Sequence, residues 1–182
     1  RMQRIKVRVG HICLEKSFGG TGGPFVSLIE ALMREGLQQY VLVRNPKLAK
    51  QYDAIAGVDV GPIVRSAVTA CCLMPHLDLV HAHDRAAGQA GLLLTLTRSI
   101  PFVLTHRESV AINNDPITQA IYKRATGIIC LDDADVALLR HYDQSLRLHV
   151  VPDPGRFDSA RDHLRVYQNS QRTPIAGSKG IQ

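Results

Sequence analysis

Apolar and polar positions along this chain follow two different periods, and segments with one period alternate with segments of the other. Short apolar runs bounded by turn residues predict strands, and longer stretches with apolar residues every three or four positions predict helices. The predicted strands cover residues 5–14, 39–44, 58–62, 77–83, 101–106, 127–131 and 148–151. Strands separated by helices form parallel βαβ units. We therefore expect an α/β fold, with a mostly parallel sheet of about seven strands between two layers of helices.

Helix-capping residues support the intervening helices. Pro24 suits the first position of one helix, and Gly36 predicts its end. Asp115, which is followed by a proline, predicts a second N-terminus, and the Asp132-Asp133 pair offers caps for a third. The predicted helices cover residues 24–35, 46–56, 63–77, 86–98, 116–124 and 133–142.

The end of the chain changes character after the Pro-Asp-Pro-Gly segment at residues 152–155, which predicts a bend. Residues 161–168 predict a short helix, and the polar residues 169–182 predict a linker or a disordered tail. We therefore expect one domain over residues 1–157, followed by a short helix and tail over residues 158–182.

Composition narrows the function classes. The chain has 182 residues, enough for a domain with a core, and no apolar run approaches the roughly 18 residues of a membrane span. No secretory signal is visible at its start. The net charge of +6 suits phosphate-bearing ligands or an anionic membrane surface. It does not require nucleic acid, and the chain has no tryptophan on which bases could stack.

The cysteines favour a reducing compartment. Cys13, Cys71, Cys72 and Cys130 lie in apolar contexts and form no Cys-x-x-Cys pair. We interpret them as reduced, buried thiols of a cytosolic protein, because the spacing of a zinc site is absent.

A glycine-rich segment, Gly19-Gly20-Thr21-Gly22-Gly23, joins the first strand to the first helix. It is neither a P-loop nor a dinucleotide fingerprint, because the residues that those motifs require are missing. One interpretation is a tight turn that needs small residues. The other is a loop whose backbone N–H groups approach an anionic ligand, helped by the N-terminus of the following helix. Four glycines exceed the need of one turn and favour the second interpretation.

Histidines stand where the fourth and fifth strands end. Ligands of parallel α/β sheets bind beyond the carboxyl ends of the strands. His81 and His83 lie two apart and so point to the same face, which could place two metal ligands together. We favour the alternative, in which one histidine is hydrogen-bonded beneath a helix and the other lies at the rim of the site. We therefore predict no metal, and we keep His83 and Asp84 as candidate contacts to a substrate.

His106 is the sharper candidate at the end of the fifth strand. A histidine followed by an arginine and a glutamate can hydrogen-bond a polar ligand and respond to phosphate charge. A structural role for the ring is the alternative. Arg107 and Glu108 are weaker candidates, because they could pair with each other.

In their order and spacing, these segments resemble the amino-terminal half of GT-B glycosyltransferases, and within them family 4. The resemblance covers about residues 5–157 and joins five motifs. They are the glycine-rich segment and residues 78–83, 101–106, 125–131 and 149–152. It implies a Rossmann-like three-layer α/β/α domain that holds the acceptor. In the family, a second domain holds the nucleotide-sugar. Family 4 enzymes are retaining and build lipopolysaccharide, capsule and related glycans.

The resemblance also implies roles for residues. Gly19, Gly20, Thr21, Gly22 and Gly23 would approach the donor diphosphate. His106 would contact the donor sugar, so we assign it to the catalytic site. His83, Asp84, Arg107 and Glu108 are the acceptor-side candidates. The nucleotide-sugar is a substrate, no cofactor is expected, and the expected location is cytoplasmic, with peripheral contact at the inner membrane face as an option.

The sequence differs from the family pattern at two points. The family's Pro-Asn-Gly after the last strand is Pro152-Asp153-Pro154 here. No carboxy-terminal donor domain follows, so we expect the chain alone to transfer no sugar without that domain or a partner chain. Two other functions stay open. One is a non-catalytic partner subunit with the same fold. The other is a nucleotide-dependent oxidoreductase, which the missing fingerprint glycines disfavour.

Overall fold

The computed structural model describes residues 7–16, 23–106, 115–151 and 159–172. Within these residues, seven strands form one sheet in which each neighbouring pair is parallel. The strands are β1 Arg8–Cys13, β2 Gln38–Val43, β3 Val58–Val60, β4 Leu79–Ala82, β5 Phe102–Thr105, β6 Gly127–Cys130 and β7 Leu148–Val150. The helices are α1 Gly23–Arg34, α2 Pro46–Asp53, α3 Ala67–Leu73, α4 Arg85–Arg98, α5 Pro116–Arg124, α6 Asp133–Tyr142 and α7 Ser159–Arg172. The expected three-layer α/β/α fold is confirmed.

The strand order is β3-β2-β1-β4-β5-β6-β7. The chain winds outward from β1 to β3, returns to place β4 on the other side of β1, and winds outward again to β7. The direction of winding therefore reverses between β1 and β4. Such a reversal opens a crevice at the carboxyl ends of the two strands, where doubly wound sheets bind ligands. The carboxyl ends of β1 and β4 are therefore the first place where this fold would hold a ligand.

Helices cover both faces of the sheet, and the two faces differ in chemistry. We call the face under α3, α4, α5 and α6 the apolar face, because it forms one continuous core cluster that includes Ile12, Phe102 and Leu104. We call the face under α1, α2 and α7 the histidine face. Its apolar residues fall into two separate clusters. His11 and His81, which are aligned partners on β1 and β4, lie fully buried among the polar residues of the sheet.

Local capping explains why several helices begin and end where they do. Asp115 and Asp132 accept hydrogen bonds from backbone N–H groups three residues later, as the sequence predicted. Gly36 has a φ of +86° and ends α1, because the Leu37 N–H returns to the Leu32 carbonyl. The prediction for α3 was too long. Ser66 caps the helix at that point, and the preceding segment runs extended beside β2.

The last described helix, α7, is longer than predicted and belongs to the core. It continues through Arg172, so the polar stretch expected as tail begins inside a helix. Its buried residues recur at helical spacing: Ser159, Ala160, His163, Val166, Tyr167 and Ser170. A side chain at Gly127 of β6 would crowd Val166 and Ser170, at 3.1 and 3.2 Å. The absence of a side chain at Gly127 therefore lets α7 lie close to the sheet.

The cysteines match the prediction only in part. Cys13 and Cys130 are buried, and burial is the main cause that raises the pKa of the Cys130 thiol to about 12. Cys71 is half-buried and Cys72 is exposed, so the expectation of four buried thiols was wrong for these two. None of the helices in the described ranges combines the length and the apolar character that a bilayer crossing needs.

Candidate functional site

An open cavity lies at the carboxyl ends of β1 and β4, where the winding reverses. Its volume is about 430 Å³, large enough for part of a small polar ligand. A carboxylate, a guanidinium group and an amide face it from Glu15, Arg85 and Gln89. The remaining lining residues are Leu14, Asp84 and Ala86. This mixture of donors and acceptors suits a ligand that is rich in hydroxyl groups.

Asp84 holds the edge of this cavity in place. Its carboxylate caps α4 by accepting a hydrogen bond from the Ala87 N–H at 2.8 Å. The same carboxylate accepts from the Leu14 N–H at 2.6 Å and from the Glu15 N–H at 3.3 Å. The side chain therefore ties the start of α4 to the segment that leaves β1. Because Asp84 is 5% exposed and these bonds occupy both oxygens, its first role is to position Glu15.

His106 lies at the end of β5, beside a narrow cleft of roughly 10 Å³, with room for about one water molecule. The cleft is also lined by Glu15 and Asp84, so it adjoins the larger cavity. The His106 Nδ1 atom lies 2.7 Å from the Tyr122 hydroxyl of α5. The backbone N–H of His106 donates a hydrogen bond to the Ile129 carbonyl at 2.8 Å. The Tyr122 hydroxyl orients the ring, and the backbone bond holds the residue at the end of β5.

An ion pair closes one side of this region. Arg85, the first residue of α4, contacts Asp115 with 2.7 Å between Nη2 and Oδ2. The Asp115 carboxylate also accepts from the Thr118 N–H and hydroxyl at 2.9 and 2.6 Å. These hydrogen bonds from Thr118 are the main cause that lowers the Asp115 pKa, with Arg85 a smaller one. The guanidinium group is partly exposed and lines both the cavity and the cleft.

On the histidine face, buried imidazoles contact one another. His11 Nδ1 lies 2.9 Å from His83 Nε2, and the two rings are stacked. His81 bonds the Tyr167 hydroxyl through Nδ1 and the Thr105 hydroxyl through Nε2, each at 2.7 Å. His163 on α7 packs against the His81 ring, with centroids 5.7 Å apart.

Burial keeps His11 and His163 neutral at pH 7. It is the main cause that lowers the pKa of His11 to about 3, and the nearby His163 lowers it further. Burial also lowers the pKa of His163 to about 4. Gln39 lies close enough to raise the His11 pKa slightly. Even so, His11 Nε2 and Gln39 Oε1 make no hydrogen bond of full geometry with any residue in the described ranges.

Some of the residues predicted from the sequence line the cavity or the cleft, others are buried, and the rest lie outside the described residues. His106 lines the cleft, and Asp84 lines both the cleft and the cavity. His81 is hydrogen-bonded beneath a helix, as we favoured, but His83 is not at the rim. It is 3% exposed, because Phe25 of α1 packs edge-on over its ring with centroids 4.4 Å apart.

The remaining predicted residues are placed only in part. Gly23 is the first residue of α1. The other residues of the glycine-rich segment, Gly19, Gly20, Thr21 and Gly22, lie outside the described residues, as do Arg107 and Glu108. Their roles stay predictions. Sequence reasoning missed Glu15, Arg85 and Tyr122. Glu15 and Arg85 directly follow a predicted strand or precede a predicted helix, which was an available signal, whereas nothing local marked Tyr122.

Solved structures share this fold. A sucrose-phosphate synthase chain from Thermosynechococcus elongatus aligns with 88% of this chain and 97% of its own, with a TM-score of 0.58 and 14% identity. Anabaena HepE in complex with UDP aligns with 80% of this chain and 44% of its own, with a TM-score of 0.60 and 12% identity. An α-glucosyltransferase, solved with UDP and a DNA 13-mer, aligns with 80% and 42%, with a TM-score of 0.53 and 12% identity.

The chain therefore has the Rossmann-like α/β/α fold found in glycosyltransferase structures. At these identities the likeness shows the fold alone. The chain spans less than half the length of the two UDP complexes. No protein-family model and no curated protein sequence matches the chain.

Proposed function

We propose that this chain is the acceptor-side domain of a glycosyltransferase that uses a nucleotide-sugar donor. The observation that carries the proposal is the polar cavity at the carboxyl ends of β1 and β4, which adjoins the cleft of His106. A sugar acceptor needs several donors and acceptors of hydrogen bonds, and Glu15, Arg85 and Gln89 offer them. The UDP named for two structures of the same fold supports a uridine diphosphate sugar as donor.

In this proposal the enzyme belongs to GT-B family 4 and transfers a hexose with retention of configuration. The leaving diphosphate gains negative charge as the glycosidic bond breaks, and N–H groups of the glycine-rich segment would stabilise it. His106 would hydrogen-bond the donor sugar from the cleft that it lines. We assign no protein nucleophile, no metal at this step and no cofactor. The acceptor would be a glycan or glycolipid of cell-surface polysaccharide or lipopolysaccharide synthesis, and the location cytoplasmic, with contact to the inner membrane face.

Saturation-transfer-difference NMR on the isolated chain tests the acceptor role. The probes are UDP-glucose and a panel of bacterial oligosaccharides. We expect an oligosaccharide of the panel to bind, UDP-glucose to bind weakly, and no sugar to be transferred, because most of the nucleotide site would lie in a second domain. Glu15→Ala should weaken oligosaccharide binding about tenfold, the effect of one lost charge-assisted hydrogen bond. Glu35→Ala, directly after the last residue of α1, is the matched control and should leave oligosaccharide binding unchanged.

Two outcomes would contradict the proposal. One is an absence of oligosaccharide binding across the panel, and the other is binding that Glu15→Ala leaves unchanged. Robust turnover of UDP-glucose by the chain alone would instead overturn the expected dependence on a second domain. Tyr122→Phe refines the test, because it removes the hydroxyl that holds His106 Nδ1 while leaving the imidazole in place.

A second candidate function is a non-catalytic partner subunit. Exposed apolar side chains occur on two helices that pack together, with Val68 and Leu73 on α3 and Leu96 on α4. Such residues favour contact with another chain. Residues 110–114, whose apolar Val-Ala-Ile start would suit the same role, lie outside the described residues. Native mass spectrometry of the protein from its source cells distinguishes the two, because a partner subunit would be recovered in a stable complex.

A further inference from the structure

Three imidazoles come together on the histidine face through the register of two neighbouring strands. His11 of β1 and His81 of β4 are aligned partners in the sheet, and His83 follows His81 by two residues. All three side chains are buried, at 0 to 3% exposure. Because a paired sheet fixes their Cα positions, the cluster does not depend on the conformation of a loop.

The nitrogen atoms are close enough to share one ion. One ring nitrogen from each of His11, His81 and His83 lies within 4.8 Å of the other two. A tetrahedral Zn²⁺ with bonds of 2.0–2.1 Å places its ligand nitrogens about 3.3 Å apart. His11 Nδ1 and His83 Nε2 are 2.9 Å apart, a few tenths of an ångström short of that spacing. The limit of 4.8 Å for all three nitrogens exceeds it by about 1.5 Å, so binding of one ion requires side-chain shifts of up to about that size.

We propose that His11, His81 and His83 bind a divalent transition-metal ion that prefers imidazole ligands, with Zn²⁺ as its representative. The ion takes the place of the proton that His11 and His83 share. Three neutral ligands leave the two positive charges of the ion uncompensated, so the fourth ligand is hydroxide or another anion. The site is independent of the glycosyltransferase proposal, because none of its three histidines lines the cavity or the cleft.

The neighbours of His81 suit a metal ligand. Its two ring nitrogens contact the Tyr167 and Thr105 hydroxyls. When one nitrogen binds the ion, the other keeps its hydroxyl partner, and such a partner fixes the orientation of metal-bound histidines. Binding the ion breaks one of the two hydrogen bonds of His81. The metal–nitrogen bond must therefore be more favourable than the hydrogen bond that it replaces.

A purely hydrogen-bonded cluster is the competing explanation. It accounts for the contact between His11 and His83 and for both contacts of His81. It leaves His11 Nε2, a buried polar atom, without a hydrogen bond of full geometry among the described residues. A metal on His11 Nδ1 fixes the ring proton on Nε2. After a small rotation, the side-chain carbonyl oxygen of Gln39 can then accept a hydrogen bond from this N–H group.

The test is a metal titration of the whole chain. The chain is treated with a chelator, dialysed, and titrated with Zn²⁺ by calorimetry and with Co²⁺ by visible spectroscopy. We expect one Zn²⁺ per chain and the d–d absorption of four-coordinate Co²⁺. His11→Gln and His83→Gln should each weaken Zn²⁺ binding by about 100-fold or more. His163→Gln, a buried histidine of the same face outside the trio, is the matched control and should bind within threefold of the original chain.

Two further measurements keep the test decisive. Cys71→Ser combined with Cys72→Ser should leave Zn²⁺ binding unchanged, which excludes a surface thiol site. If a histidine variant does not fold, thermal unfolding of the original chain replaces it, and Zn²⁺ but not Mg²⁺ should raise the Tm. The proposal is overturned if less than half an equivalent of Zn²⁺ binds. It is equally overturned if His11→Gln binds as the original chain does, or if Zn²⁺ leaves the Tm unchanged.

Discussion

The two faces of the sheet solve the same packing problem with different chemistry. On the apolar face, strands and four helices bury one continuous cluster of aliphatic and aromatic side chains. On the histidine face, imidazoles and hydroxyls separate the apolar residues into two clusters. Apolar contact is indifferent to pH and to metal ions, whereas buried imidazoles respond to both. One face therefore supplies stability, and the other makes that stability depend on conditions.

The largest expected effect is a cavity in the apolar face. Phe102→Ala should lower the free energy of unfolding by about 3–5 kcal/mol, because the ring is fully buried and Gly91 of α4 lies directly against it. Urea unfolding at pH 8 measures the loss, and it should be the same at pH 5.5 relative to the unchanged chain at that pH. The control is Leu96→Ala on the exposed side of α4, with less than about 0.5 kcal/mol expected.

Acid should act on the histidine face. In a metal-free chain, His11 and His163 are neutral above pH 6.5 in both the folded and the unfolded state. Below pH 6.5 the unfolded chain binds a proton at each of the two histidines. In the folded chain both imidazoles stay neutral, because their pKa values are lowered to about 3 and about 4. Stability is therefore lost as the pH falls from 6.5, by about 2 kcal/mol for each histidine at pH 5.

Urea unfolding between pH 8 and pH 5 in a chelator measures this loss. His163→Gln should flatten the profile in part, because it removes one of the histidines whose pKa burial lowers. A profile that stays equally steep in this variant would assign the pH dependence to other groups. If the metal proposal holds, Zn²⁺ should shift the acid limb of the profile, because protons and the ion compete for the same nitrogens.

A smaller effect is expected at the carboxyl edge of the sheet, beside the cavity. Asp84→Ala should cost about 2–3 kcal/mol, because it removes the cap of α4 and leaves the buried Leu14 N–H without its acceptor. Asp132→Ala removes a cap of the same geometry on exposed α6 and should cost about 1 kcal/mol. Equal losses in the two variants would show that the tether to Leu14 contributes nothing.

The smallest expected effect tests one hydrogen bond of the histidine face. Tyr167→Phe keeps the buried ring and removes the hydroxyl that bonds His81 Nδ1. We expect a loss of about 1 kcal/mol in the free energy of unfolding. Tyr52→Phe, another buried tyrosine of the same face, provides the comparison within one layer. A gain in stability on Tyr167→Phe would mean that this hydroxyl is more costly to bury than to omit.

The sequence was a good guide wherever the deciding information is local. The caps at Asp115 and Asp132 and the positive φ at Gly36 place helix ends within a residue or two, because each acts on its own neighbours. The alternation of strands and helices also sufficed for the fold class. The order of strands did not follow from it, since the return that places β4 beside β1 is a choice of tertiary packing.

The missed features depend on contacts between distant segments. The buried face of α7 contains small and polar residues, including Ala160, His163 and Ser170, so its apolar pattern is weak although Gly127 lets it approach closely. Asp84 was noticed, but its bond to Leu14 joins residues 70 positions apart. His83 was expected at the rim because nothing local shows that Phe25 covers it.

The late position of α7 has a consequence for synthesis. This helix contacts β4, β5 and β6, strands that leave the ribosome well before it does. Until residue 172 has emerged, the nascent sheet presents His81 to solvent without the Tyr167 hydroxyl. Co-translational folding can therefore complete the layer of α3–α6 first, and the layer of α1, α2 and α7 closes only when the last turn of α7 docks.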